Sequence, residues 1–122
     1  MLCSLVLGSS VAMASPSEPD DLTAAVARTH DDGARVAYHA AETVIAERDL
    51  QTARMEMDTA HARWDAAIHA DDSDAAAHWA VAHLHAQDAA REAYNRVVAE
   101  RAERDIARAD FRRDAEQAQR AK

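Results

Sequence analysis

Trp64-Asp65-Ala66-Ala67-Ile68-His69-Ala70-Asp71-Asp72-Ser73-Asp74-Ala75-Ala76-Ala77-His78-Trp79 is the stretch that decides the fold. Helix-forming, alanine-rich sequence stands on both sides of Ala70-Asp71-Asp72-Ser73-Asp74, the clearest interruption in the helical signal. Asp71, Asp72 and Ser73 can cap free backbone N–H groups. Asp74 falls in the first turn of a new helix, where the dipole favours negative charge. So short a connection sends the second helix back antiparallel to the first.

The two arms match in length. Residue 22 lies fifty residues before Asp72 and residue 122 lies fifty after it. Each arm would run about 75 Å at about 1.5 Å per residue. Residues that face each other should have numbers summing to about 144, which follows from the midpoint at residue 72. Arm one carries a heptad pattern, with Val36, Thr43, Leu50, Met57 and Trp64 at a and His39, Ala46, Ala53, Ala60 and Ala67 at d. Successive alanines opposite larger residues let two helices approach closely. Arm two offers Ala76, Trp79, His83, Ala86, Ala90, Ala93 and Val97, and then turns polar through Glu100 and Arg104 before Ala107 and Phe111. Trp64 and Trp79 flank the seam beside the turn as a hydrophobic plug. The pairs Glu92–Arg96, Glu100–Arg104 and Glu116–Arg120 are expected as i,i+4 ion pairs, each worth about 0.2 to 0.5 kcal/mol.

Leu22 is the expected start of the helical region, with Asp20 and Asp21 as its N-terminal residues. Residues 15–21 then form a polar linker and residues 22–122 the hairpin, with its turn near 70–74. Asp31-Asp32-Gly33 is the one ambiguity inside arm one. It either ends a short first helix or places a glycine inside a continuous, kinked helix at a cost of about 1 kcal/mol. The pairing rule sets Phe111 opposite Gly33, and a ring resting on a glycine favours the continuous, kinked arm.

Composition agrees with an all-α chain. Of 122 residues 32 are alanine, and glycine and proline contribute two each. That is too few turn formers for a sandwich, a barrel or a Rossmann-type domain. Two Trp, two Tyr and one Phe are too few for an ordinary globular core. The net charge of −8 and the interleaved signs of residues 101–122 lack the basic stripe of a nucleic-acid binder. The single cysteine, Cys3, excludes an intramolecular disulfide and a Cys-based zinc site.

Residues 1–14 resemble a secretory signal segment without its charged n-region. Leu2, Leu5, Val6 and Leu7 form a short apolar run, and Ala12-Met13-Ala14 suits cleavage before Ser15. The expectation is export to the periplasm, the cell envelope or the medium if the start lies upstream, and a cytoplasmic location otherwise. The run falls short of the roughly 18 apolar residues of a membrane span.

Seven histidines raise a metal or pH-responsive reading. His61, Asp65 and His69 share one helix face at four-residue spacing, and Asp74 and His78 repeat it on arm two. The pairing rule brings His83 near His61. Candidate sites for zinc, nickel or copper are then His61, Asp65 and His83, or His69, Asp74 and His78. A solvated His-rich face explains the same spacing, so no metal and no cofactor is assigned. Protonating all seven histidines would move the formal charge from −8 to −1. The acidic turn is not an EF-hand, because its sixth position is Ala76 and its twelfth is Ala82. No nucleophile motif or phosphate-cradling glycine loop is present, so the chain is expected not to be an enzyme.

A second stripe lies off the seam. It comprises Tyr38, Ala41, Ile45 and Met55 on arm one and Ala77, Val81, Leu84 and Val98 on arm two. An extended apolar patch of this kind marks an interaction surface. Pairing two hairpins through Tyr38, Ile45, Met55, Val81, Leu84 and Val98 would make a four-helix bundle. The partner is therefore expected to be a second copy or an unidentified protein, with no nucleic acid involved. In length and expected architecture the chain resembles the small secreted helical hairpins of the type VII secretion class, whose turn carries Trp-x-Gly. Here Trp64-Asp65-Ala66 lacks the glycine and precedes the turn, and a cleavable signal belongs to another route, so the likeness is one of shape.

Three functions follow as expectations. The first is a non-enzymatic structural or protein-interaction element of the bacterial cell envelope. The second is a His/Asp-rich metal-binding or pH-responsive protein. The third is a cytoplasmic or phage-encoded acidic helical inhibitor of a partner protein.

Overall fold

The computed structural model describes residues 18–121. Two helices, α1 (Glu18–His69) and α2 (Ser73–Arg120), account for all but four of them. They pack as a helical hairpin, with no strand among the described residues. Residues 1–14, read above as signal-like, and residues 15–17 of the expected linker lie outside this range.

Helix α1 begins four residues before Leu22, so Glu18 to Asp21 are helical rather than linker. Pro19 is compatible with this because a proline in the first turn forfeits only an N–H that has no partner there. The helix also runs unbroken through Asp31-Asp32-Gly33. Gly33 does not take a positive φ. The heptad explains the continuity, since Asp32 sits seven residues before His39 and Ala25 seven before Asp32. Both are buried, so the seam simply continues.

The turn is built as the acidic stretch suggests. Asp72 N–H donates to Ala67 O at 3.0 Å and Asp71 N–H to Ile68 O at 3.1 Å, which closes α1 with a Schellman motif. Asp71 takes the left-handed position, at φ 55°, where glycine is usual and aspartate is tolerated. Asp72 then caps α2: its Oδ1 accepts from Ala75 N–H at 3.1 Å.

The chain divides into two compact units: residues up to 34 with those from 107 onward, called unit 1, and residues 35–106, called unit 2. In unit 2 the buried residues are Thr43, Ala46, Leu50, Ala53, Ala60 and Ala67 from α1 and Ala86, Ala93 and Val97 from α2. These fall on the expected a and d positions and the expected arm-two stripe. Ala46, Leu50, Ala93 and Val97 form one apolar cluster, against which Ala90 packs. The buried hydroxyl of Thr43 donates to His39 O at 2.7 Å, so it enters the seam satisfied. Descending partners of ascending residues show the antiparallel register. His39 meets Glu100, Asp49 meets Arg96 and His61 meets His83. In unit 1, Ala25, Asp32, Ala107 and Asp114 are buried. There Arg28 meets Asp114, and Phe111 lies against Gly33.

Candidate functional site

Three groups of side chains compete for attention, two of them in unit 2. The first is the apolar stripe. Tyr38, Ile45, Met55, Val81, Leu84 and Val98 are all between 44% and 62% exposed. Helical spacing places Tyr38 and Ile45 on one face of α1, and Val81 and Leu84 on one face of α2. Met55 borders a groove with Thr52 and Thr59, across from Trp79 and Ala82. Sequence reading missed further exposed apolar residues of this unit: Val44, Ile68, Tyr94 and Ile106. Tyr94 borders a different groove, beside Leu50 and Val97. The missed residues sit outside the Tyr38–Met55 spacing, so a search for one stripe passes over them.

The second group is the histidine face near the turn. The rings of His61 and His83 lie 5.6 Å apart across the seam, as the pairing rule requires. Trp64 is 6.0 Å from His61 and 6.1 Å from His83, which makes a three-ring cluster. Asp65 Oδ2 is 3.6 Å from His61 Nε2, while His69 Nδ1 engages Asp65 O at 2.8 Å. Asp74 and His78 are exposed, and the His78 ring meets Trp79 edge-on. Among the described residues no group of three or more His, Cys, Asp or Glu is placed to hold a metal ion. Arg63 lies 4.8 Å over the Trp79 ring, a cation–π contact that holds the half-buried indole at the edge of the seam.

The third group is polar and buried, and sequence reading did not single it out. In unit 1, Asp32 and Asp114 are 6% and 5% exposed. Arg28 Nε stands 3.8 Å and Arg113 Nε 3.6 Å from Asp114 Oδ1. A hydrogen bond from Asp32 holds the Asp114 carboxyl below its ordinary range. Burial opposes this, and the charges of Arg113 and Arg28 assist it. Unit 2 has a related contact between half-buried partners, His39 Nδ1 to Glu100 Oε2 at 2.7 Å.

The expected i,i+4 ion pairs are rearranged by such contacts. Glu116–Arg120 forms at 3.4 Å. Arg96 instead reaches Asp49 on α1 at 2.9 Å, and Glu100 is taken by His39. A further cross-helix pair, Arg101–Glu47 at 2.7 Å, fixes the same register. These last pairs are half-exposed, apart from His39–Glu100, and each exposed pair is worth at most about 1 kcal/mol.

No helix among the described residues is long and apolar enough to cross a membrane. No family model, curated protein or solved structure matches the chain.

Proposed function

We propose that this chain is a non-enzymatic interaction element of the bacterial cell envelope, and that its first partner is a second copy of itself. The observation that carries the reading is an inversion of side-chain size in unit 2. The buried apolar residues there are alanines apart from Leu50 and Val97, while Tyr38, Ile45, Met55, Val81, Leu84 and Val98 remain exposed. Fully burying one large apolar side chain is worth about 1.5 to 3 kcal/mol, so the seam leaves most of the available stabilisation unused. Because the stripe occupies both α1 and α2, one hairpin can offer the same surface that another needs. A two-fold dimer has this property, and four helices then close around one core.

Sedimentation equilibrium tests the pairing. The chain is expected to be a dimer, and Ile45→Glu with Val81→Glu is expected to convert it to a monomer. A stable, fully helical monomer at tens of micromolar, roughly where a modest interface saturates, would overturn self-association and leave a different protein as the partner. Location is checked separately by the intact mass of protein from its native host. The expected exported form begins at Ser15, and a mature chain retaining residues 1–14 would remove the envelope from the proposal.

A further inference from the structure

The exposed apolar residues of unit 2 do not share one side of the hairpin, and two grooves sort them. The first groove has buried Ala60 and Ala86 in its floor, with Thr52, Met55 and Thr59 along its α1 rim and His85 along its α2 rim. A neighbouring groove shares Thr52, Glu56 and Ala89 with it and carries the Asp49–Arg96 pair, so the same flank continues there. The groove beside Tyr94 has Leu50 and Val97 in its floor and carries the Glu47–Arg101 pair. It has no lining residue in common with the other two, although it lies at the same height along the helices. It therefore belongs to the opposite flank of the seam.

The seam repeats every seven residues, at Ala46, Ala53 and Ala60 and again at Ala86 and Ala93. Residues seven apart thus keep the same place beside it. Steps of seven lead from Thr52 back to Ile45 and Tyr38, and from His85 on to Glu92, Ala99 and Ile106. Tyr38, Ile45, Met55 and Ile106, each at least 44% exposed, stand on the flank of the first groove. Val98 follows Tyr94 by four residues and shares its face, on the other flank. Leu84 lies fourteen residues before Val98 and joins it there.

We propose that a second copy of the chain covers the flank of the first groove, with the two-fold axis running along the helices so that α1 of each copy lies on α2 of the other. This arrangement rests on the self-association proposed above and narrows it to one flank. Such an axis leaves height along the hairpin unchanged. Facing residues of the two copies then have numbers summing to about 144, as His61 and His83 have within one hairpin. Tyr38 meets Ile106 of the second copy, and Met55 meets the alanine wall at Ala89. The Thr52 hydroxyl donates to the Glu92 carboxylate. Thr59 faces His85, whose ring N–H is within reach of the Glu56 carboxylate three residues away. The other two-fold, across the helices, would set α1 on α1 and the row Glu42, Asp49 and Glu56 against itself. Like charges facing each other across an interface oppose pairing.

The area agrees with a stable dimer. Residues 38–64 span about 40 Å and two helices about 20 Å in width, so one copy offers about 800 Å². A standard interface buries about 800 Å² on each partner.

Sedimentation equilibrium of the full chain separates the flanks. Tyr38→Glu and Ile106→Glu, each checked for helix by circular dichroism, are expected to weaken the dimer roughly a hundredfold or more, because each change acts twice in a two-fold dimer. Leu84→Glu and Val98→Glu are expected to leave the dissociation constant within about threefold. Loss of the dimer in Leu84→Glu and Val98→Glu, with retention in Ile106→Glu, would overturn the choice of flank and leave self-association standing. A wild-type chain that stays monomeric would overturn both. Cysteine pairing tests the axis and does not need the glutamate variants to fold. In a Cys3→Ser background, Thr59→Cys chains mixed with His85→Cys chains are expected to form the mixed disulfide in preference to either homodimer. Disulfides within Thr59→Cys chains alone, with none in the mixed pair, would mean that α1 lies on α1 and would overturn the arrangement.

Discussion

Around Leu50 in unit 2 the seam is filled by Ala46, Ala93 and Val97; in unit 1 the buried residues include Asp32 and Asp114. Both are made from the same two helices with the same seven-residue spacing, yet the first draws on apolar contact and the second includes a buried carboxylate approached by two arginines. Apolar contact is non-directional and indifferent to pH. A buried polar layer is directional: it stabilises only when its donors and acceptors match, and it penalises a shifted register more sharply than alanine against alanine does. Unit 2 thus draws its stability from burial, while unit 1 also draws on the approach of Arg28 and Arg113 to the buried Asp114.

The largest test of this contrast is Leu50→Ala. It removes the one leucine of the unit 2 cluster, where flanking alanines can do little to refill the space. Denaturant unfolding followed by circular dichroism is expected to show a loss of about 2 to 5 kcal/mol. A loss below about 1 kcal/mol, smaller than is usual for a truncated core leucine, would mean the alanine seam holds unit 2 without it. Acidification comes next in size: the Asp114 carboxyl is held below its ordinary range, so amide-exchange protection of residues 18–34 and 107–121 is expected to fall as pH drops through its folded value. Protection around Leu50 and Val97 is expected to ignore that titration. A parallel change there would erase the distinction.

The apolar half of this picture is legible in the sequence. Alanine recurs at Ala46, Ala53, Ala60 and Ala67, and the structure buries all four. The acidic turn is legible too, because capping and left-handed tolerance are local properties of Asp71 and Asp72. What the sequence hides is the polar half. Asp32 occupies a heptad position seven residues before His39, but a search for apolar periodicity reads a charged residue there as an interruption. Asp31-Asp32-Gly33 therefore reads as ambiguous between a helix end and a glycine inside a continuous arm, and α1 passes through it. The cross-helix choice of Glu100 for His39 is hidden for a related reason. Spacing along one helix favours Arg104, and only the three-dimensional register brings His39 to 2.7 Å. Of the candidate metal residues, the numbering rule placed His61 beside His83 correctly, because ring proximity follows from register. Convergence of donor atoms does not follow from register.

The smallest expected effect separates two explanations of Gly33. If the glycine were needed for close approach of Phe111, a methyl group there would clash and destabilise unit 1. The geometry says otherwise. A Cβ on Gly33 would meet Phe111 Cε2 at 3.4 Å and Cδ2 at 3.7 Å, which is ordinary contact. The residue is helical and has no positive φ, so alanine fits the backbone as it stands. Glycine inside a helix costs about 1 kcal/mol relative to alanine, mainly through the greater freedom of the unfolded chain. Gly33→Ala is therefore expected to stabilise the chain by about 0.5 to 1 kcal/mol in thermal or denaturant unfolding. The ring itself is part-exposed and borders an open groove with Val26 and Thr29, so it has room to shift by a few tenths of an ångström. Repeating the substitution in a Phe111→Ala background removes the ring from the comparison. The gain should persist there nearly unchanged, since it comes from the backbone. A loss of stability in the Phe111 chain, reversed when the ring is removed, would show that unit 1 depends on the close packing of Phe111 against residue 33.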